Sequence, residues 1–281
     1  MLLDSAGSAT SRLLMVSSPS SVVSSRRSKG VLVLWGSVDP TTTDENALND
    51  WWTNEHLPER VCLPGFQSAR RYRALEPEHG PNEYLALYET SDVQALASAE
   101  YLYALDHPTK KTVQFMPCLA KMSRFACEEI WSASSPISIS DQAETNGLLL
   151  MLVFETNNAM DDSTRVIGDC LDRNEHGALA NVTRSQIAKV NSDITRAGSA
   201  SKSYDNVRFD SSSGGDNTKT AGTFVALVEF GSIADGSAHK LSSGNEPLQS
   251  FTTAIKTAGL QIQYVNTYTL LASLARSQVV C

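Results

Sequence analysis

From Gly30 onward the apolar residues fall into short runs of strand length, separated by stretches with helical spacing. Val31-Leu32-Val33-Leu34-Trp35 is a β-branched and apolar run between two glycines, the pattern of a buried strand. Thr42 and Glu45 have capping-box spacing, and Leu48, Trp51, Trp52 and Leu57 then recur at helical intervals. Pro58 disfavours α geometry in the residue before it, so this helix is expected to end near Leu57. Residues 66–75 and 83–90 alternate on either side of a turn containing Pro and Gly, which predicts a hairpin. A helical stretch from 92 to about 105 and a longer strand over 119–131 complete a βαββαβ order.

The same order returns after a Ser/Pro-rich linker at 132–146. Strands are predicted over 147–155, 183–190, 223–230 and 261–274, with helices over 160–171 and 246–258. Tyr84-Leu85-Ala86-Leu87-Tyr88-Glu89 is echoed by Phe224-Val225-Ala226-Leu227-Val228-Glu229. Asn54-Glu55-His56 is echoed by Asn174-Glu175-His176, 120 positions later and at the matching place in the order. The expected fold class is therefore α+β: two tandem ferredoxin-like βαββαβ units, residues 30–131 and 147–281, packed sheet to sheet as an internal pseudo-dimeric barrel around a shared cavity. Residues 191–222, rich in Ser, Gly, Asp, Asn and Thr, read as a long loop, either a lid or disordered. Residues 1–29 hold ten serines, four basic residues and one acid, and read as a disordered leader with some transit-peptide character.

Charge narrows the function. Over 281 residues, 23 basic side chains stand against 31 acidic ones, a net charge of −8, which argues against a nucleic-acid or anionic-membrane partner. No apolar run is long enough for a membrane helix. The five cysteines form no CxxC pair, and a reduced, cytoplasmic setting is the simplest reading. No GxGxxG follows a strand, and the Gly214-Gly215 stretch has Thr218 where a phosphate loop needs glycine.

Trp51-Trp52-x-x-Glu55-His56-Leu57-Pro58, then Pro64-Gly65-Phe66 and Ala69-Arg70-Arg71-Tyr72, resembles the EthD-like members of the dimeric α+β barrel superfamily. The resemblance covers residues 30–131 well; the second half keeps the histidine but lacks the tryptophan pair, the Leu-Pro and the Pro-Gly-Phe. It implies a barrel whose relatives include cofactor-independent cyclases and decarboxylases, small monooxygenases and haem enzymes, often from secondary metabolism, with a cavity histidine as catalytic candidate.

On chemistry alone, His56 lies four residues after Trp52, on one helix face, where a tryptophan would shield an imidazole that titrates near neutrality. It is the candidate acid or base, and Tyr72 the candidate donor to a substrate carbonyl. Trp35, Trp52, Tyr84 and Tyr88 would form an aromatic wall, and Arg70 a fork for a carboxylate. His176 is the matching candidate of the second half, though Gly177 after it marks a plain helix end. Glu55 and Glu59 read as solvated acids, and His56 with Glu59 is too little for a metal site, so neither metal nor cofactor is expected. The expected function is a cofactor-independent cyclase, isomerase or decarboxylase of a hydrophobic or aromatic carbonyl compound, in a fold compatible with a homodimer. A cofactor-free oxygenase and a non-catalytic small-molecule binder are the alternatives.

Overall fold

The computed structural model describes residues 28–75, 82–134, 147–156, 182–210, 222–230, 246–257 and 259–281. Its strands are β1 (Gly30–Val38), β2 (Phe66–Ala74), β3 (Asn82–Thr90), β4 (Leu119–Ser134), β5 (Leu148–Glu155), β6 (Val182–Val190), β7 (Thr223–Phe230) and β8 (Gln261–Ala275). Helices are α1 (Glu45–Trp51), a π-helical turn (Trp52–His56), α2 (Leu57–Val61), α3 (Ala99–Asp106), α4 (Lys110–Phe115), α5 (Ser192–Ser199) and α6 (Glu246–Thr257). The strands follow the expected positions closely, whereas α4 and α5 were not foreseen. The first 27 residues, the expected helix at 160–171, and His176 lie outside the described residues.

All eight strands join one closed antiparallel barrel in the order β1-β3-β2-β8-β5-β7-β6-β4. Within each half the order is the same, β4-β1-β3-β2 and β8-β5-β7-β6, and the halves meet at two seams, β2 with β8 and β4 with β6. Both faces of every central strand are covered, which is why the strands read as nearly continuous apolar runs.

Period-two alternation decides what lies inside. Val31, Val33 and Trp35 point into the barrel, where they share a core with Leu85, Leu87, Phe125, Leu149, Met151, Val225, Leu227 and Tyr268. Leu32 and Leu34 point outward, beneath the helices of the first half, and Leu150, Phe154, Ala226 and Val228 do the same under Ile255 of α6. The described interior is lined mainly by the inward-pointing apolar side chains. Its two ends are polar. At one, Arg70 donates to Glu89 at 2.7 Å and to both oxygens of Glu229 at 2.8 and 2.9 Å, with Arg184 also on Glu89. At the other, Glu83 accepts from Tyr268 at 2.6 Å, from Asn266 at 3.0 Å and from Tyr264. Each cluster takes residues from both halves, so buried charges at the seams find partners only when the barrel closes.

The stretch expected to be a loop over 191–222 begins as structure. Asn191 caps α5 by accepting from the Ile194 amide at 3.1 Å, and Ile194 and Tyr204 join the core of the first half. The anchor is Arg124, fully buried on the outer face of β4, which donates to the Thr195 carbonyl at 3.0 Å, Tyr101 Oη at 3.2 Å and Tyr204 Oη at 3.3 Å. Burial works against its charge, but the surrounding phenols outweigh it and raise the pKa. A second tie corrects the cysteine reading: Cys62, just after α2, is disulfide-bonded to Cys281, closing a separation of 219 residues. Among the described residues, Cys118 and Cys127 have no disulfide partner.

Gly198 permits this docking, because a Cβ there would stand 2.2 Å from Arg124 Nη2. Gly198→Ala is expected to destabilise the protein by about 1–3 kcal/mol through overpacking, read as a lower urea midpoint, although alanine favours a helix. An unchanged or higher midpoint would mean that Arg124 is not held there.

Candidate functional site

The site is built on the helix that follows β1. Asp44, rather than Thr42, caps it, accepting from the Ala47 amide at 3.1 Å. The chain does not stop at Pro58. Proline brings no N–H and would clash with the carbonyl four residues back in a regular helix. Here the backbone widens into a π turn, in which the Leu57 amide reaches Trp52 O five residues back, and α2 begins with Pro58 in its first turn. The widening changes which side chains meet. Trp51, five residues before His56, packs against the imidazole in a tilted arrangement at 4.8 Å between ring centres, where α geometry would have offered Trp52. Trp51 also stacks on Phe115 of α4 at 5.4 Å.

His56 and Arg60, one helical turn apart, face a narrow pocket between the helices and the outer face of the sheet. Leu32, Leu34, Phe66, Tyr88, Tyr101 and Tyr204 are among its walls. The space is about 320 Å³ with its mouth included, and its enclosed part admits only a water-sized body. The enclosed part is far smaller than a ligand pocket, so it can take only a small polar group presented from the mouth.

Burial dominates the electrostatics. It lowers the His56 pKa to about 4; the carboxyl of Glu59 works the other way, while Arg60 and Arg71 add to the depression. The imidazole is therefore neutral at pH 7. Glu59 Oε2 stands 3.6 Å from His56 Nδ1, beyond a good hydrogen bond. Burial opposes the charge of Glu59, yet His56 and Arg60 hold its pKa below the ordinary value. Burial also pushes the Tyr88 phenol up, so it remains a donor. Among the described residues, no hydrogen-bond partner meets His56 Nδ1, Tyr88 Oη or either Nη atom of Arg60, all of them buried. Such atoms are rare in folded proteins and mark places where water, ions or ligands complete the bonding.

The sheet divides the expected site residues. His56, Trp52, Tyr84 and Tyr88 lie on its helical side, whereas Trp35, Arg70 and Tyr72 lie inside the barrel. Tyr72 therefore does not share a pocket with His56. Arg70 offers no free fork, since Glu89 and Glu229 fill it. Trp35 packs on Phe125 and Tyr264, each at 5.4 Å. Tyr84 and Tyr88 face the helices rather than the interior, because Leu85 and Leu87 between them take the inward positions. Tyr84 donates to Glu45 Oε2 at 2.6 Å, and Trp52 lies under the guanidinium of Arg71 at 4.6 Å. Both Nη atoms of Arg71 are occupied, by the Asn49 side chain at 2.6 Å and by Thr53, and burial lowers its pKa to about 10. Glu55 pairs with Lys111 at 2.8 Å on the surface, as expected of a solvated acid. Arg60, Tyr101 and Tyr204 were not foreseen in the site. The i,i+4 spacing of His56 and Arg60 was the available signal for the first, and none exists for Tyr204, which arrives from the other half. No group of three or more metal-ligating side chains occurs among the described residues.

The fold and the site define an α+β barrel with a histidine pocket on its helical face. Among solved structures, an anthrone oxidase-like protein shares that fold, with a TM-score of 0.53 over 91% of this chain and 96% of that one. Sequence identity is 11%, so the likeness is one of fold alone. A curated relative, core atranone cluster (CAC) protein 1 of Stachybotrys chlorohalonatus (strain IBT 40285), is 37% identical over 68 residues. The match spans 24% of this chain and 28% of that protein. No family model matches the chain. Among the described residues no helix is long and apolar enough to cross a membrane.

The neutral imidazole has a measurable consequence. A histidine in the unfolded chain binds its proton near 6.5, whereas His56 resists until about 4. Between these values the unfolded chain binds more protons, so the stabilisation is complete above about 6.5 and is lost as the pH falls toward 4. The loss should reach roughly 3 kcal/mol. Urea unfolding at stepped pH should show this slope in the wild type and a shallower one in His56→Gln; identical slopes would contradict a buried neutral ring.

Proposed function

We propose that the chain is a cofactor-independent enzyme of secondary metabolism that moves a proton beside a carbonyl, in the cyclisation, isomerisation or decarboxylation of a polyketide-like or aromatic intermediate. The observation that carries this reading is the buried, neutral imidazole of His56 in a pocket where its Nδ1, the Tyr88 hydroxyl and both Nη atoms of Arg60 have no hydrogen-bond partner among the described residues. In the isomerisation and cyclisation versions, an imidazole nitrogen takes a proton from the carbon next to the carbonyl. The electron pair moves onto the carbonyl oxygen, and Tyr88, in the part first given to Tyr72, donates a hydrogen bond to that enolate. Glu59, 3.6 Å from Nδ1, offsets the charge that the imidazolium gains. Returning the proton at another carbon completes an isomerisation, whereas attack by the enolate carbon on a second carbonyl closes a ring and leaves an alkoxide that takes the proton back from the imidazolium. The local match to a protein of the atranone cluster supports secondary metabolism. The repeated strand order supports two tandem ferredoxin-like units. The Cys62–Cys281 disulfide fits an oxidising compartment better than the cytoplasm.

A cofactor-free oxygenase is the second reading. The water-sized space beside His56 favours it, because that space suits dioxygen better than a second organic reactant. The two readings share the proton transfer and differ in oxygen uptake during turnover.

The test compares metabolites of a producing host carrying the wild type with those of one carrying His56→Gln, then incubates the accumulating compound with each purified protein. Conversion should be about 10²-fold or more slower with the variant, at unchanged thermal stability near pH 7. Equal conversion by both proteins would overturn the role of His56, and recovery of the compound unchanged from both would favour a binding protein.

A further inference from the structure

Three arginines are buried among the described residues, and they differ in one respect. Arg71 and Arg124 place both Nη atoms on acceptors of their own surroundings. Arg60, 3% exposed, places neither. Its nearest acid is Glu59, with Oε1 at 3.7 Å from Nη2, an ion pair that supplies no hydrogen bond. Glu59 is also not among the residues that wall the pocket, whereas Arg60 is. A guanidinium always carries its charge and presents parallel N–H groups in a plane. Burying it with that fork empty costs free energy that an sp² anionic oxygen group would recover.

The walls around it are arranged as donors. Tyr101 and Tyr204 each accept a hydrogen bond from Arg124, which leaves their own hydroxyl protons for another acceptor and makes them stronger donors. Both line the pocket with Arg60, and the unpartnered hydroxyl of Tyr88 lines it too. Around the same space, therefore, stand a cation with an empty fork and three phenols, while the imidazole of His56 is uncharged.

We propose that Arg60 is the anion-binding residue of this pocket, and that its ligand carries a carboxylate or a phenolate or enolate oxygen, seated on the guanidinium with Tyr88, Tyr101 and Tyr204 as supporting donors. This deepens the proton-transfer reading and rests on it only in taking the occupant to be the substrate: the anionic oxygen would fix the reacting carbon against His56. The pocket is thus specific for the ionised acid over the neutral ester or amide.

Binding of benzoate, 4-nitrophenolate and the neutral control benzamide is measured at pH 7.5 by titration calorimetry, with quenching of the tryptophan fluorescence as a second readout. Wild type should bind at least one anion tenfold or more tighter than benzamide. Arg60→Met should abolish that preference, and Arg60→Lys, which keeps the charge but not the fork, should weaken benzoate more than 4-nitrophenolate. Circular dichroism and thermal unfolding establish that each variant is folded; if Arg60→Met is not, Arg60→Lys decides. No anion preference in the wild type, or a preference that survives in a folded Arg60 variant, overturns the proposal. The ratio of benzoate to 4-nitrophenolate affinity distinguishes the carboxylate from the phenolate ligand. His56→Gln should still bind the anion. Anion binding without His56-dependent turnover would remove the catalytic reading and leave this one, whereas His56-dependent turnover without anion binding would do the reverse.

Discussion

Closure of the eight-stranded sheet is the constraint on which everything else depends. A closed antiparallel ladder has no free edge, and its inner face is small enough for side chains to fill. Here they line it with an apolar middle and a polar cluster at each end, Arg70 with Glu89 and Glu229, and Glu83 with three donors. A reaction that needs an uncommitted acid, base or cation finds none of these free. The outer face of the first half is different, because helices cover it less completely than a second sheet would, and the gaps between them hold the pocket. The same closure means that any pairing with a second copy would use helices and loops, since no strand edge remains to be extended.

The sheet was legible because its strands are apolar on both faces and bounded by turn residues. That same property hid the parity of the faces: when Tyr84, Leu85, Ala86, Leu87 and Tyr88 are all apolar or aromatic, alternation says which residues travel together but not which set points inward. The partner strands decide, by placing Trp35 opposite Leu85 and Gly36 opposite Tyr84. His56 was legible from its aromatic neighbours and its place at a helix end. The helix was read too short at Pro58, since the π turn that accommodates the proline leaves no compositional trace. With it went the geometry that brings Arg60 beside His56. The helix at 192–199 was missed for another reason: a segment of Ser, Asp, Thr and Gly has little intrinsic helicity, and what holds it is Arg124, 68 or more residues away in sequence.

The charge distribution is uneven in a way that the net value of −8 conceals. On the helical side of the first half, Arg71 and Arg124 are buried against amides, carbonyls and aromatic rings, with no carboxylate among their hydrogen-bond partners. Inside the barrel the arginine at the seam is matched by two glutamates. Cations without a carboxylate partner in a low-dielectric layer raise the potential in their immediate surroundings. That field opposes protonation of His56 and favours negative charge developing next to it. Both effects follow from placing Arg60 and Arg71 near one imidazole.

The π turn at Trp52–His56 also bears on how this chain is aligned with others. A π turn is an α turn with one residue inserted, so a relative with a regular helix between the same two end points would be a residue shorter there. An ungapped alignment across the segment would set one of Trp51 and His56 against its true counterpart and shift the other by one place. Conservation counted in such columns would dilute the signal of the ring pair that meets in the folded protein, and a single gap between residues 52 and 56 would restore it.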